Sequence, residues 1–386
     1  MHRLKLVLCT IALSFGFATA CGSEGLEPEP TDDIAVQQDE LCWREVGDSS
    51  VITTLPAEPG LPEGVVAKGT RIYTSTPAGF TNFGDAIVYV HSKYTGELIK
   101  EVAIPPVHPG PNSLSGLAPG LFGDMYVLNP MQAGVVRFND YLDTQEVYTP
   151  NGFPDLPPCA INDSVPCSPT VPVCEPYLAM GMPCSAELGR PALPNSLAFG
   201  PMGELYVTDT FQATIWRIPA GGGDPEIWFQ DSRIDDAFGP NGIRVSLIDD
   251  HVYFIVSGLS TANSWIYKLP RIDSPQAEDL ELVHQFTQGE GPDELTFALS
   301  GNIYVSTALA SAIVKLSPQG EVLDIYPGIT EGSVVMHGPA GLDFDGLKLV
   351  IANHASLPQP TPSNYAILDM FVGELGMPYY QPFFGW

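Results

Sequence analysis

Short apolar runs, each ended by a turn containing Gly, Asp or Pro, recur along most of the chain. Residues 194–210, "PNSLAFGPMGELYVTDT", show the pattern. An apolar run enters from Pro-Asn, turns at Gly, and leaves as a β-branched and aromatic run, which predicts a β-hairpin. Aligned on the proline, five further units match it. They are "PEGVVAKGTRIYTST" (62–76), "PNSLSGLAPGLFGDMYVLN" (111–129), "PNGIRVSLIDDHVYFIVS" (240–257), "PDELTFALSGNIYVST" (292–307) and "PAGLDFDGLKLVIANH" (339–354). Strand-like runs such as "ATIWRIP" and "SAIVKLS" follow most units, and no long run has capped helical periodicity.

The units start in steps of 49, 83, 46, 52 and 47 residues. A period of about 48 with four short strands per unit is the sign of a β-propeller blade. The expected fold is therefore all-β: a six-bladed β-propeller with four-stranded blades, over residues 45–386. The one long step holds a Cys-rich insertion at about 150–190. Ring closure should pair strands from the two ends of the chain, and the aromatic tail "MPYYQPFFGW" is expected to pack there.

Residues 1–20 read as a signal peptide, with a basic start, an apolar "LVLCTIALSFGF" and a small-residue "ATA" before Cys21. The chain is thus expected to be exported. Cys21 is either lipidated, which would tether the protein to a membrane, or simply exposed by cleavage into the periplasm or medium. Residues 21–44 are acidic, Pro-containing and suited to a flexible spacer. Cys159, Cys167, Cys174 and Cys184 lack the C-x2-C pairs of common zinc sites. In an exported protein they predict two disulfides of unassigned pairing. Cys42 either pairs with Cys21, joins this group or stays free. The formal net charge of −29 excludes nucleic acid and anionic lipid surfaces as partners. A monomer is expected.

In a propeller the innermost strand of every blade lines one channel. The residue after each repeated proline should then converge on its axis: Glu63, Asn112, Asn195, Asn241, Asp293 and Ala340. Carboxylate and amide oxygens in this number suit a hard divalent cation, calcium more readily than magnesium, and no His or Cys in the ring favours zinc. Any single instance is also ordinary turn chemistry.

The ordered units "PEGV", "PNSLAF", "PNGIRV" and "PDELTF" resemble the senescence-marker/gluconolactonase family of six-bladed propellers, whose relatives include diisopropylfluorophosphatase and the paraoxonases. The resemblance implies metal ligands at Glu63, Asn195, Asn241 and Asp293, with Asn195 turned more to substrate binding in gluconolactonase-like members. It implies a Ca2+-dependent (or other divalent-metal) hydrolase of lactones or related esters. Asp293 would then be general base or nucleophile, and His354 a second catalytic or substrate-contacting group. Asn112 and His337 are the remaining candidates for substrate contact, with His108 placed similarly before a channel turn. The alternatives are a non-catalytic exported binding propeller with a structural or absent metal, and a related lyase or carbohydrate-active propeller. "PAGGGDP" (219–225) lacks the Lys-Ser/Thr of a phosphate loop, and no G-x-S-x-G or H-E-x-x-H occurs.

Overall fold

Within a blade, Gly-marked turns between short β-branched runs place each strand beside the one just before it. The computed structural model describes residues 44–78, 82, 84–156, 191–236, 238–258, 263–328, 330–356 and 359–382. The expected signal segment, nearly all of the expected spacer, Cys21, Cys42, and Cys159, Cys167, Cys174 and Cys184 lie outside the described residues.

Strand β1 (Ser49–Thr54) comes first. Blade 1 is β2 (Val65–Lys68), β3 (Arg71–Thr76), β4 (Ala86–Ser92) and β5 (Leu98–Ile104). Blade 2 is β6 (Leu117–Pro119), β7 (Asp124–Asn129), β8 (Gly134–Asn139) and β9 (Thr144–Val147). Blade 3 is β10 (Pro194–Phe199), β11 (Leu205–Asp209), β12 (Thr214–Ile218) and β13 (Glu226–Gln230). Blade 4 is β14 (Pro240–Val245), β15 (His251–Val256), β16 (Ser264–Pro270) and β17 (Glu281–Phe286). Blade 5 is β18 (Pro292–Phe297), β19 (Ile303–Thr307), β20 (Ala312–Leu316) and β21 (Val322–Pro327). A small ladder, β22 (Thr330–Glu331) with β23 (Val334–Val335), leads into blade 6: β24 (Pro339–Asp345), β25 (Lys348–Asn353) and β26 (Ala366–Phe371). Blade 6 takes β1 as its outermost strand. The expected six-bladed, four-stranded propeller is the fold observed, and all pairs within blades are antiparallel.

The inner strands β2, β6, β10, β14, β18 and β24 pack in that order, and β24 packs on β2. The ring is closed. Its hydrophobic core is divided into clusters that lie between neighbouring blades, such as Val66, Tyr73, Val127 and Phe138 between blades 1 and 2. A tyrosine recurs at one register of five second strands (Tyr73, Tyr126, Tyr206, Tyr253, Tyr304), and each is buried. Three of these rings meet the next blade edge-on: Tyr126 meets Phe199 at 4.8 Å, Tyr253 meets Phe297 at 5.0 Å and Tyr304 meets Phe344 at 5.4 Å.

At the closing seam, Ser49 pairs with Met370 and Thr54 with Ala366. Arg44 grips the buried Asp369 through both carboxylate oxygens, at 2.9 and 2.6 Å, and Lys348 adds a third contact at 3.0 Å. Although burial acts the other way, these cations and Ser50 hold Asp369 below the usual carboxylate range. The described part of the C-terminal tail, residues 377–382, does not pack at this seam. It crosses to the far end of the channel, where Met377 N–H donates to the Phe297 carbonyl at 2.8 Å and Tyr379 donates to Asp343.

Candidate metal centre and substrate pocket

On β10 Pro194 faces Asp209 and the next partners are Leu197 and Val207, so the inner strand carries one extra residue. The same bulge recurs on β14, β18 and β24. A bulge turns side chains out of the regular alternation. Here it frees the residue after each proline to face the channel: Asn195, Asn241, Asp293 and Ala340. In blade 1 the pair Val65–Thr74 sets Glu63 at this register.

Glycine commonly follows, because neighbouring inner strands nearly touch. A Cβ on Gly116 would stand 2.9 Å from the Asn195 carbonyl oxygen, and one on Gly341 only 2.2 Å from that of Glu63. The preceding blade also holds the backbone of most ring residues. Gly116 and Gly341 N–H groups donate to the Asn195 and Glu63 carbonyls, both at 2.9 Å. The hydroxyls of Ser75, Thr208 and Ser306 donate to the carbonyls of Ser115, Asn241 and Ala340.

Blade 2 departs from the proline alignment. The pair Leu117–Val127 is equivalent to Leu197–Val207, so Ser115, not Asn112, occupies the channel register. Blade 2 places three more residues between its proline and the ring. Asn112 is fully buried instead as a strut, donating to the Gly84 and Ile104 carbonyls at 3.0 and 2.8 Å and accepting from Asn129 at 2.6 Å. The Ser115 hydroxyl is buried and has no hydrogen-bond partner.

A second ring stands just above the first, at the residue following each second strand. The N–H groups of Thr210, Ser257, Ala308 and His354 donate to the carbonyls of Leu193, Gly239, Gly291 and Gly338, the residues before the four repeated prolines. Thr210 gives its hydroxyl proton to the Pro240 carbonyl at 2.7 Å, so it can only accept from Asn195 Nδ2 at 3.1 Å. Ser257 repeats the logic, donating to the Pro292 carbonyl at 2.8 Å and accepting from Asn241 Nδ2 at 3.0 Å. Both amide nitrogens are pinned to their own blade wall. Among the described residues neither Oδ1 accepts a hydrogen bond, and both remain as oxygen donors. Thr210 and Ser257 were not singled out in the sequence, although each ends its repeat unit as His354 does.

The floor is electrostatically unbalanced. Burial, then the Asp293 and Glu294 charges, push Glu63 well above the usual carboxylate range. Burial and Glu294 push Asp293 up to about 7, against a hydrogen bond from the Asn241 amide. His354 Nε2 lies 3.8 Å from Glu63 Oε2 and makes no hydrogen bond, while Nδ1 meets the Ser356 hydroxyl at 2.9 Å. Burial pushes this imidazole down to about 4, only partly opposed by the Ala78 backbone.

Glu63, Asn195, Asn241, Asp293 and His354 all line one cavity of about 360 Å³. His337 and the exposed His108 do not line it; the His337 N–H instead donates to Asn353 at 2.7 Å. No Lys or Arg is among its described lining residues. Among the described residues no group of three or more His, Cys, Asp or Glu forms a metal cluster. The ring supplies two carboxylates and completes its donor set with amides. Two mutually repelling half-buried carboxylates, two unengaged amide oxygens and an unpartnered hydroxyl fit a hard divalent cation.

No protein-family profile matches the chain. No curated protein matches its sequence. Solved structures do match. Regucalcin from Agrobacterium tumefaciens, a calcium-binding protein, is 14% identical over 86% of this chain and 99% of its own, with a TM-score of 0.57. A luciferin-regenerating enzyme is 15% identical over 86% and 98%, with a TM-score of 0.55. A protein provisionally named gluconolactonase is 12% identical over 86% and 94%, with a TM-score of 0.54. All three are six-bladed propellers of the senescence-marker/gluconolactonase family. At such identities the likeness to this chain is one of fold.

Proposed function

We propose that this propeller is a calcium-dependent hydrolase of lactones or related esters. One observation carries the reading: Glu63, Asn195, Asn241 and Asp293, from four different blades, line the same cavity, with no Lys or Arg among its described lining residues. The calcium-binding regucalcin, a propeller of the same fold, supports the choice of cation.

Glu63, Asn241 and Asp293 would hold the ion, with Asn195 as fourth donor or as a contact to substrate. A cation so held polarises a carbonyl oxygen and offsets the negative charge that grows there. Asp293 takes the proton of the attacking water as the water oxygen bonds to the acyl carbon. It returns that proton to the alkoxide released when the acyl C–O bond breaks, so one water is consumed and an acid and an alcohol group appear. His354 offers Nε2 to the substrate, and the second ring holds the amides in register. We further propose that the chain is exported, with residues 1–20 as leader and Cys21 as first mature residue.

Purification without chelator, metal analysis and hydrolysis assays with and without EDTA test the activity. Bound calcium, and lactone or ester turnover that EDTA abolishes and calcium restores, are expected. Protein that binds no divalent metal and hydrolyses nothing in either state would remove this reading.

A further inference from the structure

Polar groups in the cavity are concentrated at its floor, and its walls are built differently. Leu114, Pro130, Leu193, Phe238, Ala308 and Leu309 surround the space above the ring. Leu309 is 47% exposed at the rim although it is a large apolar side chain. The wall hydroxyls are mostly engaged. Ser257 holds Asn241 and the Pro292 carbonyl, and Ser356 meets His354, which leaves Ser113 on the wall and Ser115 in the ring below it. A volume of about 360 Å³ is at the small end of ligand pockets, roughly 300–1,000 Å³.

We infer that the pocket takes a neutral lactone or ester with one polar end, directed to the floor, and a hydrocarbon body packed on the Leu-Phe-Pro wall, and that it rejects polyhydroxylated sugar lactones. This rests on the hydrolase reading for the reaction, but on the wall for the substrate. An alkyl chain needs only apolar surface, and each methylene buried there adds about fourfold in affinity. A sugar lactone brings several hydroxyls that leave water and find few partners. Each one left unsatisfied costs about tenfold or more.

The test uses calcium-loaded full chain and two matched ligand sets. Lactones are γ-butyro-, γ-hexano-, γ-octano- and γ-decanolactone against glucono-δ-lactone. The corresponding lactams, which resist hydrolysis, are titrated by calorimetry. The expected result is kcat/KM and lactam affinity rising about two- to fourfold per methylene until the cavity fills, with the sugar compounds at least tenfold below γ-octanolactone and its lactam. Leu309→Asn should lower kcat/KM for decanolactone at least fivefold more than it lowers kcat/KM for butyrolactone. A flat alkyl series, equal or better use of the sugar lactone, or binding of neither lactam set overturns the inference. Alkyl lactams that bind by length while no lactone turns over would uphold the pocket and remove the hydrolase reading. Turnover of both lactone sets alike would do the reverse.

Discussion

The two ends of the channel both bury charge, and they treat it in opposite ways. At the far end Asp343 is surrounded by groups that favour its ionised form: the Tyr379 hydroxyl, the Ala67 N–H at 2.7 Å, and Arg244. Burial still pushes it up to about 6. Arg244 in turn stands 3.4 Å from Glu294, with its guanidinium 5.5 Å from the centre of the Tyr379 ring. At the mouth, by contrast, the charges of Asp293 and Glu294 both oppose the ionisation of Glu63. At the far end the buried acids have a cation of the protein's own beside them, with Tyr379 and Tyr380 of the tail set against the inner strands. The mouth lacks a positive charge that no described side chain supplies. Buried polar groups without partners are rare enough that such an imbalance points to a ligand.

The comparison is broken most severely at the mouth. Asp293→Ala should lower turnover about a thousandfold. Its unfolding in urea with EDTA present should show no loss of stability, since the substitution relieves repulsion. Wild-type rates in this variant would exclude the proposed role. At the far end the order reverses. Arg244→Met should cost roughly 3 kcal/mol of folding stability by leaving Glu294 and Asp343 without their cation, and its calcium affinity should match wild type.

Calcium itself should separate the ends. At a hundredfold excess over Kd it should stabilise wild type by about 2.7 kcal/mol, an effect retained in Arg244→Met and largely lost in Glu63→Gln, read from melting curves. Thr210→Val and Ser257→Ala should each weaken calcium binding about tenfold by releasing an amide, with Thr210→Ser restoring it; unchanged affinity by calorimetry would count against amide positioning. Smallest is Tyr379→Phe, expected to lose roughly 1 kcal/mol in denaturant and nothing in calcium affinity.

Much of this was legible in the chain. The repeated proline marks the start of β10, β14, β18 and β24, and the ring residues follow because the bulge always falls one step later. It misled in blade 2, where Pro111 belongs to the entry loop and Asn112 holds neighbouring loops together. Another signal was available. The triplets Glu63-Gly64-Val65, Ser115-Gly116-Leu117, Asn241-Gly242-Ile243 and Ala340-Gly341-Leu342 share the glycine that close strand approach demands, and they place all four blades in register. Thr210 and Ser257 escaped notice because hydroxyls at strand ends are commonplace. Their role depends on where their protons go, which only three-dimensional neighbours decide. The tail's destination was hidden for a similar reason: an aromatic run states that it will be buried, not where.

Because β1 lies beside β26, the blade that β1 completes must wait for the stretch from β24 to β26. A ribosome-bound chain that has finished five blades still exposes an open rim, with Ser49–Thr54 as an unsatisfied edge. Glu63 gains both His354 and the Gly341 N–H only from that final stretch. A chain truncated before β24 is therefore predicted to lack both contacts to Glu63 and to be unstable, read from its urea unfolding.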